Sequence, residues 1–241
     1  MEIHATKDRM RAGSTTNHYL VCLGEALRIA HANKDAAGRP LLPELVKVPK
    51  LEEPEHLPRP VSDDDIQAII STAPPHLSDG VLLARLMGFR KGEVFAFTIS
   101  QVDFQNRCVW LSAATTKANR AEAVPANDEA MALLRRLFDQ AKEWKMDPLL
   151  TYQHGKKDER RPVKNPKRAW STALKKLGIK HRFHDTKASY VTAVAHVAPV
   201  AVTQQLARYR SYKTTRRYLK VAGPATRPHF HAADKTGALK Q

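Results

Sequence analysis

A run of prolines divides this chain of 241 residues into two parts. Six prolines occur in a short stretch, at positions 40, 43, 49, 54, 58 and 60. Because proline has a fixed φ and no backbone N–H, the stretch can form neither a continuous helix nor a central strand. We expect an extended linker that includes residues 51–60. The predicted organisation is an N-terminal segment (residues 1–50), this linker, a main domain (residues 61–222) and an irregular tail (residues 223–241).

Helix signals dominate both parts of the chain. Leucines at helical spacing predict a helix over residues 14–32. In the main domain, capping residues, prolines and glycines delimit further helices. These helices are predicted at residues 62–73, 79–88, 127–145, 165–178, 185–197, 200–208 and 213–220. Short strands are predicted at 94–99, 108–111 and 122–125, and a loop at 151–163. The expected fold class is mainly α with a small antiparallel β-sheet (α+β).

Positive charge is concentrated near the C-terminus. The formal net charge is +16, and residues 151–241 carry 21 basic and 4 acidic side chains, a net charge of +17. Such a surface needs a partner with dense negative charge, which favours a nucleic-acid backbone. An anionic membrane is less favoured, because the sequence contains neither a basic amphipathic helix with a strong apolar face nor an apolar run long enough to span a bilayer.

Few other chemistries find support in the sequence. Cys22 and Cys108 are far apart, which predicts two reduced thiols in a cytoplasmic protein rather than a disulfide framework. The eleven histidines show no HxxxH or HExxH spacing, and no glycine-rich nucleotide loop occurs. We therefore expect neither a metal ion nor a nucleotide cofactor.

Four short motifs follow one another in the main domain. They are Gly88-Phe89-Arg90-Lys91-Gly92-Glu93, Thr116-Lys117-Ala118-Asn119-Arg120-Ala121-Glu122-Ala123-Val124-Pro125, Phe183-His184-Asp185-Thr186-Lys187-Ala188-Ser189 and Thr214-Thr215-Arg216-Arg217-Tyr218. The series resembles the motifs of the tyrosine recombinases, the phage integrase family. The resemblance implies a site-specific recombinase or integrase that acts on double-stranded DNA. Residues 14–32 resemble the final helix of the family's DNA-clamping domain, of which residues 1–50 would be only a part.

The resemblance also implies a role for each motif. Tyr218 would attack the phosphorus atom and form a 3′-phosphotyrosyl intermediate, and Arg90 would bind the non-bridging oxygens. Lys117 would protonate the leaving 5′ oxygen, and His184 would bind the phosphate or assist proton transfer. Because a phosphotyrosine conserves the energy of the phosphodiester, the strand could be rejoined without ATP or any other cofactor.

Two positions depart from the family pattern. Lys187 stands where the family has a second arginine, so it keeps the charge but loses the planar fork, and Lys187→Arg is expected to raise cleavage. Nine residues before Tyr218 the family has L-G-H or a tryptophan, whereas this chain has Ala207-Arg208-Tyr209. Lys187 and Tyr209 remain candidate catalytic residues. The departures also support a second hypothesis, a DNA-binding relic with impaired chemistry. A third, a basic protein associated with RNA or the ribosome, depends on charge alone.

Ten basic residues are candidates for contacts with DNA phosphates. They are Arg120, Lys156, Lys157, Arg160, Arg161, Arg182, Arg208, Arg210, Lys213 and Arg216. The resemblance adds two expectations, a location at the nucleoid if the cell is prokaryotic and assembly of several copies on DNA.

Several of these residues also have purely structural interpretations. Arg90 and Glu93 have the spacing of an ion pair on a helix, and Lys117 fits a solvated lysine in a turn. Chemistry alone does not distinguish Tyr218 from Tyr209 or Tyr212 as the nucleophile.

Overall fold

The computed structural model describes residues 13–112, 121–155 and 159–221. The chain divides into two units, Met1–His56 and Leu57–Gln241. The first unit contains helix α1 (Gly13–Ala32), which confirms the helix predicted at residues 14–32. The buried residue of α1, Asn17, donates to the carbonyl of Leu51 (2.8 Å) and accepts from its N–H (2.7 Å). These two bonds join the segment that follows α1 to the helix.

The second unit consists mainly of helices, which confirms the predicted fold class. In chain order they are α2 (Asp63–Thr72), α3 (Pro75–Met87), α4 (Lys91–Val94), α5 (Asp128–Glu143), α6 (Lys167–Leu177), α7 (Phe183–Val197), α8 (Val200–Ala207) and α9 (residues 212–221). The Ser62 hydroxyl accepts from the N–H of Asp65, and the Asn127 side chain accepts from that of Ala130. These caps explain why α2 and α5 begin where the sequence predicts. Within the described ranges, no helix has the length and apolarity that a membrane crossing requires.

The described residues of the second unit also form two small antiparallel sheets. The first has the order β1-β2-β3, with strands β1 (Val102–Asp103), β2 (Cys108–Leu111) and β3 (Glu122–Pro125). The second pairs β4 (Thr151–Gln153) with β5 (Arg160–Pro162). The segment between β2 and β3 includes Lys117 and Arg120, and residues 113–120 lie outside the described part of the chain.

Three local predictions differ from the structure. Residues 94–99 are not a strand. Helix α4 ends at Val94, a 3₁₀ turn begins at Ile99, and between them an isolated antiparallel bridge joins Thr98 to Pro148. Phe95 and Phe97 are buried there, so their apolar pattern reflects burial in a segment with a single bridge rather than a strand. The loop predicted at residues 151–163 contains β4 and β5. Helix α3 begins at Pro75 rather than residue 79, since proline is well tolerated at the first helical position.

Helix α3 lies at the centre of the second unit. It packs against α2, α5 and α7, and Val81, Leu83, Ala84 and Met87 are fully buried. The C-terminal end of α3, where the first sequence motif begins, therefore lies beside α7, which carries the third motif.

Gly88 ends α3 in the left-handed conformation, with φ 64°. A Cβ at this position would overlap the ring of Tyr190. Because overlap and the positive φ both oppose a side chain, Gly88→Ala is expected to lower the free energy of unfolding by about 2–4 kcal/mol. Urea denaturation measures the change.

Gly178→Ala is the matched control for this prediction. Gly178 ends α6 with φ 69°, and a Cβ there would have no neighbour within 4 Å. The positive φ alone should cost about 1 kcal/mol. Equal losses in the two variants would show that the contact with Tyr190 is unimportant.

Candidate active site

The first motif forms the corner between α3 and α4 and holds Arg90 by an internal carboxylate. The backbone N–H of Arg90 donates to Oε2 of Glu93 (2.7 Å), and its Nη1 donates to Oε1 (2.9 Å). The side chain of Glu93 is 2% exposed, whereas that of Arg90 is 28% exposed. The ion pair that the spacing indicates is therefore present, and it orients a guanidinium that remains accessible.

Glu93 also binds a second arginine, which comes from the end of α8. Nη2 of Arg208 donates to Oε2 of Glu93 (2.6 Å), and the Arg208 side chain is 6% exposed. Burial by itself would raise the pKa of Glu93, but the hydrogen bonds and charges of Arg208, together with Arg90, lower it below its usual range. Glu93 is therefore an ionised, buried carboxylate shared by two guanidinium groups.

Lys187 enters the same corner from α7. It is 1% exposed, and its Nζ donates to the carbonyl oxygen of Gly88 (2.7 Å). Burial, and then the positive charges of Arg208 and Arg90, lower the pKa of Lys187 to about 6. Lys187 is therefore mostly uncharged at neutral pH, and the expectation that it keeps the positive charge of an arginine is wrong.

The tyrosines of the site lie against α7. Tyr218, on α9, is 7% exposed and packs in a cluster with Val191 and Ala207. The Tyr209 hydroxyl donates to the Tyr218 hydroxyl (2.8 Å), and the two rings are stacked with centroids 5.6 Å apart. Nζ of Lys187 lies 5.5 Å from the centroid of the Tyr209 ring. Burial, and then the proximity of Tyr218, raise the pKa of Tyr209, so Tyr209 keeps its proton and remains a hydrogen-bond donor. Tyr212, in contrast, is 55% exposed.

His184 lies near the start of α7 at the solvent-exposed edge of the site. Partial desolvation and then the charge of Lys187 lower its pKa, with further contributions from Arg182 and Arg90 that Asp185 partly offsets. A neutral imidazole can either accept or donate a proton, which suits a residue beside a phosphate group.

The structure thus brings together most of the predicted catalytic residues. Arg90, Lys187, Tyr209 and Tyr218 form one connected set through Glu93, Arg208 and the Gly88 carbonyl, and His184 interacts electrostatically with Arg90 and Lys187. Lys117 lies outside the described residues. The inward position of Arg208 was not predicted. A signal for it exists in the family motif, which has a glycine at this position, because glycine there indicates a left-handed backbone such as the one that Arg208 adopts.

The basic residues predicted to contact DNA differ in their surroundings. Five are exposed: Arg161, Arg182, Arg210, Lys213 and Arg216. Arg160 is half-buried, with its guanidinium 3.2 Å from the centroid of the Trp144 ring. Arg208 is buried against Glu93. The remaining three, Arg120, Lys156 and Lys157, lie outside the described residues. Among the described residues, no group of three or more histidine, cysteine or acidic side chains could hold a metal ion.

The helical architecture of this chain is that of a tyrosine recombinase catalytic domain. Residues 61–223 match the model of the phage integrase family, and the chain belongs to this family. A search of curated protein sequences gave no match.

Three solved structures illustrate the similarity of fold. The XerH site-specific recombinase, in a post-cleavage complex with a palindromic difH substrate, has a TM-score of 0.66 and 12% identity over 96% of this chain and 69% of its own. The Tn1549 transposon integrase, in complex with a circular intermediate DNA, has a TM-score of 0.64 and 16% identity over 88% of this chain and 76% of its own. The catalytic domain of bacteriophage HP1 integrase has a TM-score of 0.52 and 18% identity over 77% of this chain and 98% of its own.

Proposed function

We propose that this protein is a site-specific DNA recombinase that breaks and rejoins strands through a covalent bond between Tyr218 and a 3′ phosphate. The connected set of contacts from Arg90 to Tyr218 carries this proposal. The two residues come from motifs near opposite ends of the domain, and the fold brings their surroundings together through Glu93, Arg208, Lys187 and Tyr209. Family membership supports the same reaction.

The proposed reaction exchanges one phosphoester for another. The Tyr218 oxygen attacks the phosphorus, the bond to the 5′ oxygen breaks, and that oxygen takes up a proton as its electron pair leaves. We assign this proton to Lys117. Attack by a 5′ hydroxyl on the phosphotyrosine reverses the step, so no bond energy is lost and no cofactor is needed.

The surrounding groups stabilise the charges that the reaction produces. The exposed part of Arg90 would bind the non-bridging oxygens, and Glu93 fixes its direction. The hydroxyl of Tyr209 donates to the oxygen of Tyr218, which favours the phenolate that must form during the attack. His184, with its lowered pKa, would accept the phenolic proton or bind the phosphate.

Most segments of the chain have a place in the proposed recombinase. Residues 61–222 would form the catalytic domain, and residues 1–50 a partial DNA clamp joined to it by residues 51–60. The tail, residues 223–241, carries no assigned role. The other basic candidates would neutralise backbone phosphates, whereas Arg208, whose side chain is 6% exposed, would act inside the site. A palindromic substrate like that in the XerH complex presents the same half-site twice, so we propose that at least two copies of this protein assemble on DNA. In a prokaryotic cell this assembly would form at the nucleoid.

A second candidate function is DNA binding without cleavage. It is favoured by the state of Lys187, which is buried and mostly uncharged at neutral pH where the family has a permanently charged arginine.

Covalent trapping distinguishes the two functions. The full chain would be incubated with a pool of DNA duplexes that have randomised sequences and random nicks, so that a short 5′-hydroxyl fragment can diffuse away after cleavage. We expect a protein–DNA product that survives denaturing detergent, with the nucleotide on Tyr218 by mass spectrometry. Sequencing the trapped DNA gives the target. Salt-sensitive binding without any covalent product would support the second function and contradict the first.

A further inference from the structure

Arg208 has an unusual backbone conformation for its residue type. It follows α8 with φ 58° and ψ 45°, in the left-handed region. A residue with a Cβ adopts this conformation at a cost of about 1 kcal/mol, which glycine avoids. Such a cost persists only where the surrounding structure imposes it, and positions of this kind cluster at functional sites.

The Arg208 side chain is not arranged for maximal stability. Its Nη2 donates to Glu93 (2.6 Å) and to the Gly88 carbonyl (3.3 Å), and its guanidinium lies 5.4 Å from the centroid of the Phe89 ring. Nε and Nη1 are buried, however, and have no hydrogen-bond acceptor among the described residues. Nη1 forms only a long ion pair with Oε2 of Glu122 (3.5 Å). Because a buried donor without a hydrogen bond costs about 1–3 kcal/mol, stability alone does not explain the burial of this arginine.

Arg208 and Lys187 converge on one backbone oxygen from different helices. Lys187 reaches the Gly88 carbonyl from α7 (2.7 Å), and Arg208 reaches it from the end of α8 (3.3 Å). Of these two donors, Arg208 is the one that also contacts Glu93. A guanidinium keeps its charge at every pH at which the protein is folded, and its planar fork can bind two acceptors at once.

We propose that Arg208 is the second arginine of the site, a positioning residue that enters from the end of α8 and holds Arg90 through their shared carboxylate, Glu93. The inference rests on the proposed recombinase function. It also changes the expectation for Lys187→Arg. A guanidinium at position 187 would meet Arg208 at the Gly88 carbonyl, so this substitution alone should not raise cleavage. It should do so only when Arg208 is removed.

A double-mutant cycle tests the proposal. Cleavage rates would be measured on a nicked duplex selected from the random pool, for the wild-type protein, Lys187→Arg, Arg208→Gly and the double variant. Arg208→Gly should reduce the rate about 100-fold, because a small misplacement of a catalytic group has effects of that size. The double variant should cleave about tenfold faster than Arg208→Gly. The glycine also relieves the left-handed backbone, which favours folding of the variant.

Two outcomes of the cycle would contradict the proposal. The first is a wild-type cleavage rate in Arg208→Gly. The second is an absence of rescue in the double variant, because an arginine on α7 could restore the positioning of Arg90 but not a purely structural contact made by Arg208. Arg136→Ala is the matched control. Arg136, on α5, likewise pairs with a carboxylate that is mostly buried, that of Asp79 (2.6 Å), but its own side chain is 46% exposed. Its loss should leave the cleavage chemistry unchanged.

NMR of arginine side-chain nitrogens tests the positioning role without DNA. Restricted rotation should give Arg90 separate Nη signals in the wild-type protein. These signals should merge in Arg208→Gly, recover in the double variant and be unaffected by Arg136→Ala. Unchanged Arg90 signals in Arg208→Gly would overturn the inference. If the wild-type protein traps no DNA, the proposed function fails, but this measurement still decides whether Arg208 positions Arg90.

Discussion

Tyr218→Phe is expected to abolish the covalent protein–DNA product completely. The substitution removes only the hydroxyl that would attack phosphorus, and the ring can keep its packing against Val191 and Ala207. The hydroxyl of Tyr209 loses its acceptor, which should lower the free energy of unfolding by about 1–2 kcal/mol. The variant should therefore still fold and bind DNA. Denaturing gels with the selected nicked duplex measure the covalent product.

Neighbouring tyrosines provide matched controls for this experiment. Tyr209→Phe removes the hydrogen bond to the Tyr218 oxygen and should slow cleavage about fivefold, because one hydrogen bond contributes about 1 kcal/mol. Tyr212→Phe alters an exposed ring and should have no effect. Covalent product in Tyr218→Phe, or its loss in Tyr212→Phe, would show that the nucleophile has been wrongly assigned.

A second large effect is expected from Lys187 on the pH dependence of stability. The unfolded chain holds the Lys187 proton up to its ordinary pKa of 10.5, whereas the folded protein releases it above a pKa of about 6. Between these values the unfolded state binds more protons, so this group makes the protein more stable as the pH rises. The slope should be about 1.4 kcal/mol per pH unit. Below the folded-state pKa both states hold the proton, and the contribution levels off.

Comparison with Lys187→Met isolates this contribution. Methionine fills a similar volume without a titratable group. The difference in free energy of unfolding between the wild-type protein and Lys187→Met should therefore change by about 1.4 kcal/mol per pH unit. Urea denaturation from about pH 6 to about pH 9 measures the difference. Lys175→Met is the control, because this lysine is exposed on α6 and its removal should leave the slope unchanged. Parallel curves for wild type and Lys187→Met would mean that Lys187 stays charged in the folded protein.

The sequence predicts the helices of this protein well because their ends are marked by local chemistry. Ser62 and Asn127 cap α2 and α5, and Gly88 and Gly178 end α3 and α6, so local signals determine these boundaries. The strand predicted at residues 94–99 was wrong because alternating apolar residues indicate burial, and an irregular segment can also be buried. The hairpin formed by β4 and β5 was missed because pairing between polar strands leaves little apolar pattern.

The candidate site shows the same division between local and tertiary information. Motif order is enough to select Arg90, His184 and Tyr218 as candidates. The sequence does not reveal that Lys187 is buried, because its pKa depends on tertiary neighbours. Nor does it reveal that Arg208 points inward, because that depends on the left-handed backbone after α8. Both residues stand at positions where this chain departs from the family motif, as Tyr209 also does.

The acceptor that both Lys187 and Arg208 contact is a main-chain oxygen at the negative end of the α3 dipole. Every amino acid supplies this atom, so no codon change at position 88 can delete it, although a bulkier residue can displace it. Descendants of this gene could therefore exchange the donor residues by successive mutations while the acceptor persists. An arginine could move from one helix to another in this way without a non-functional intermediate.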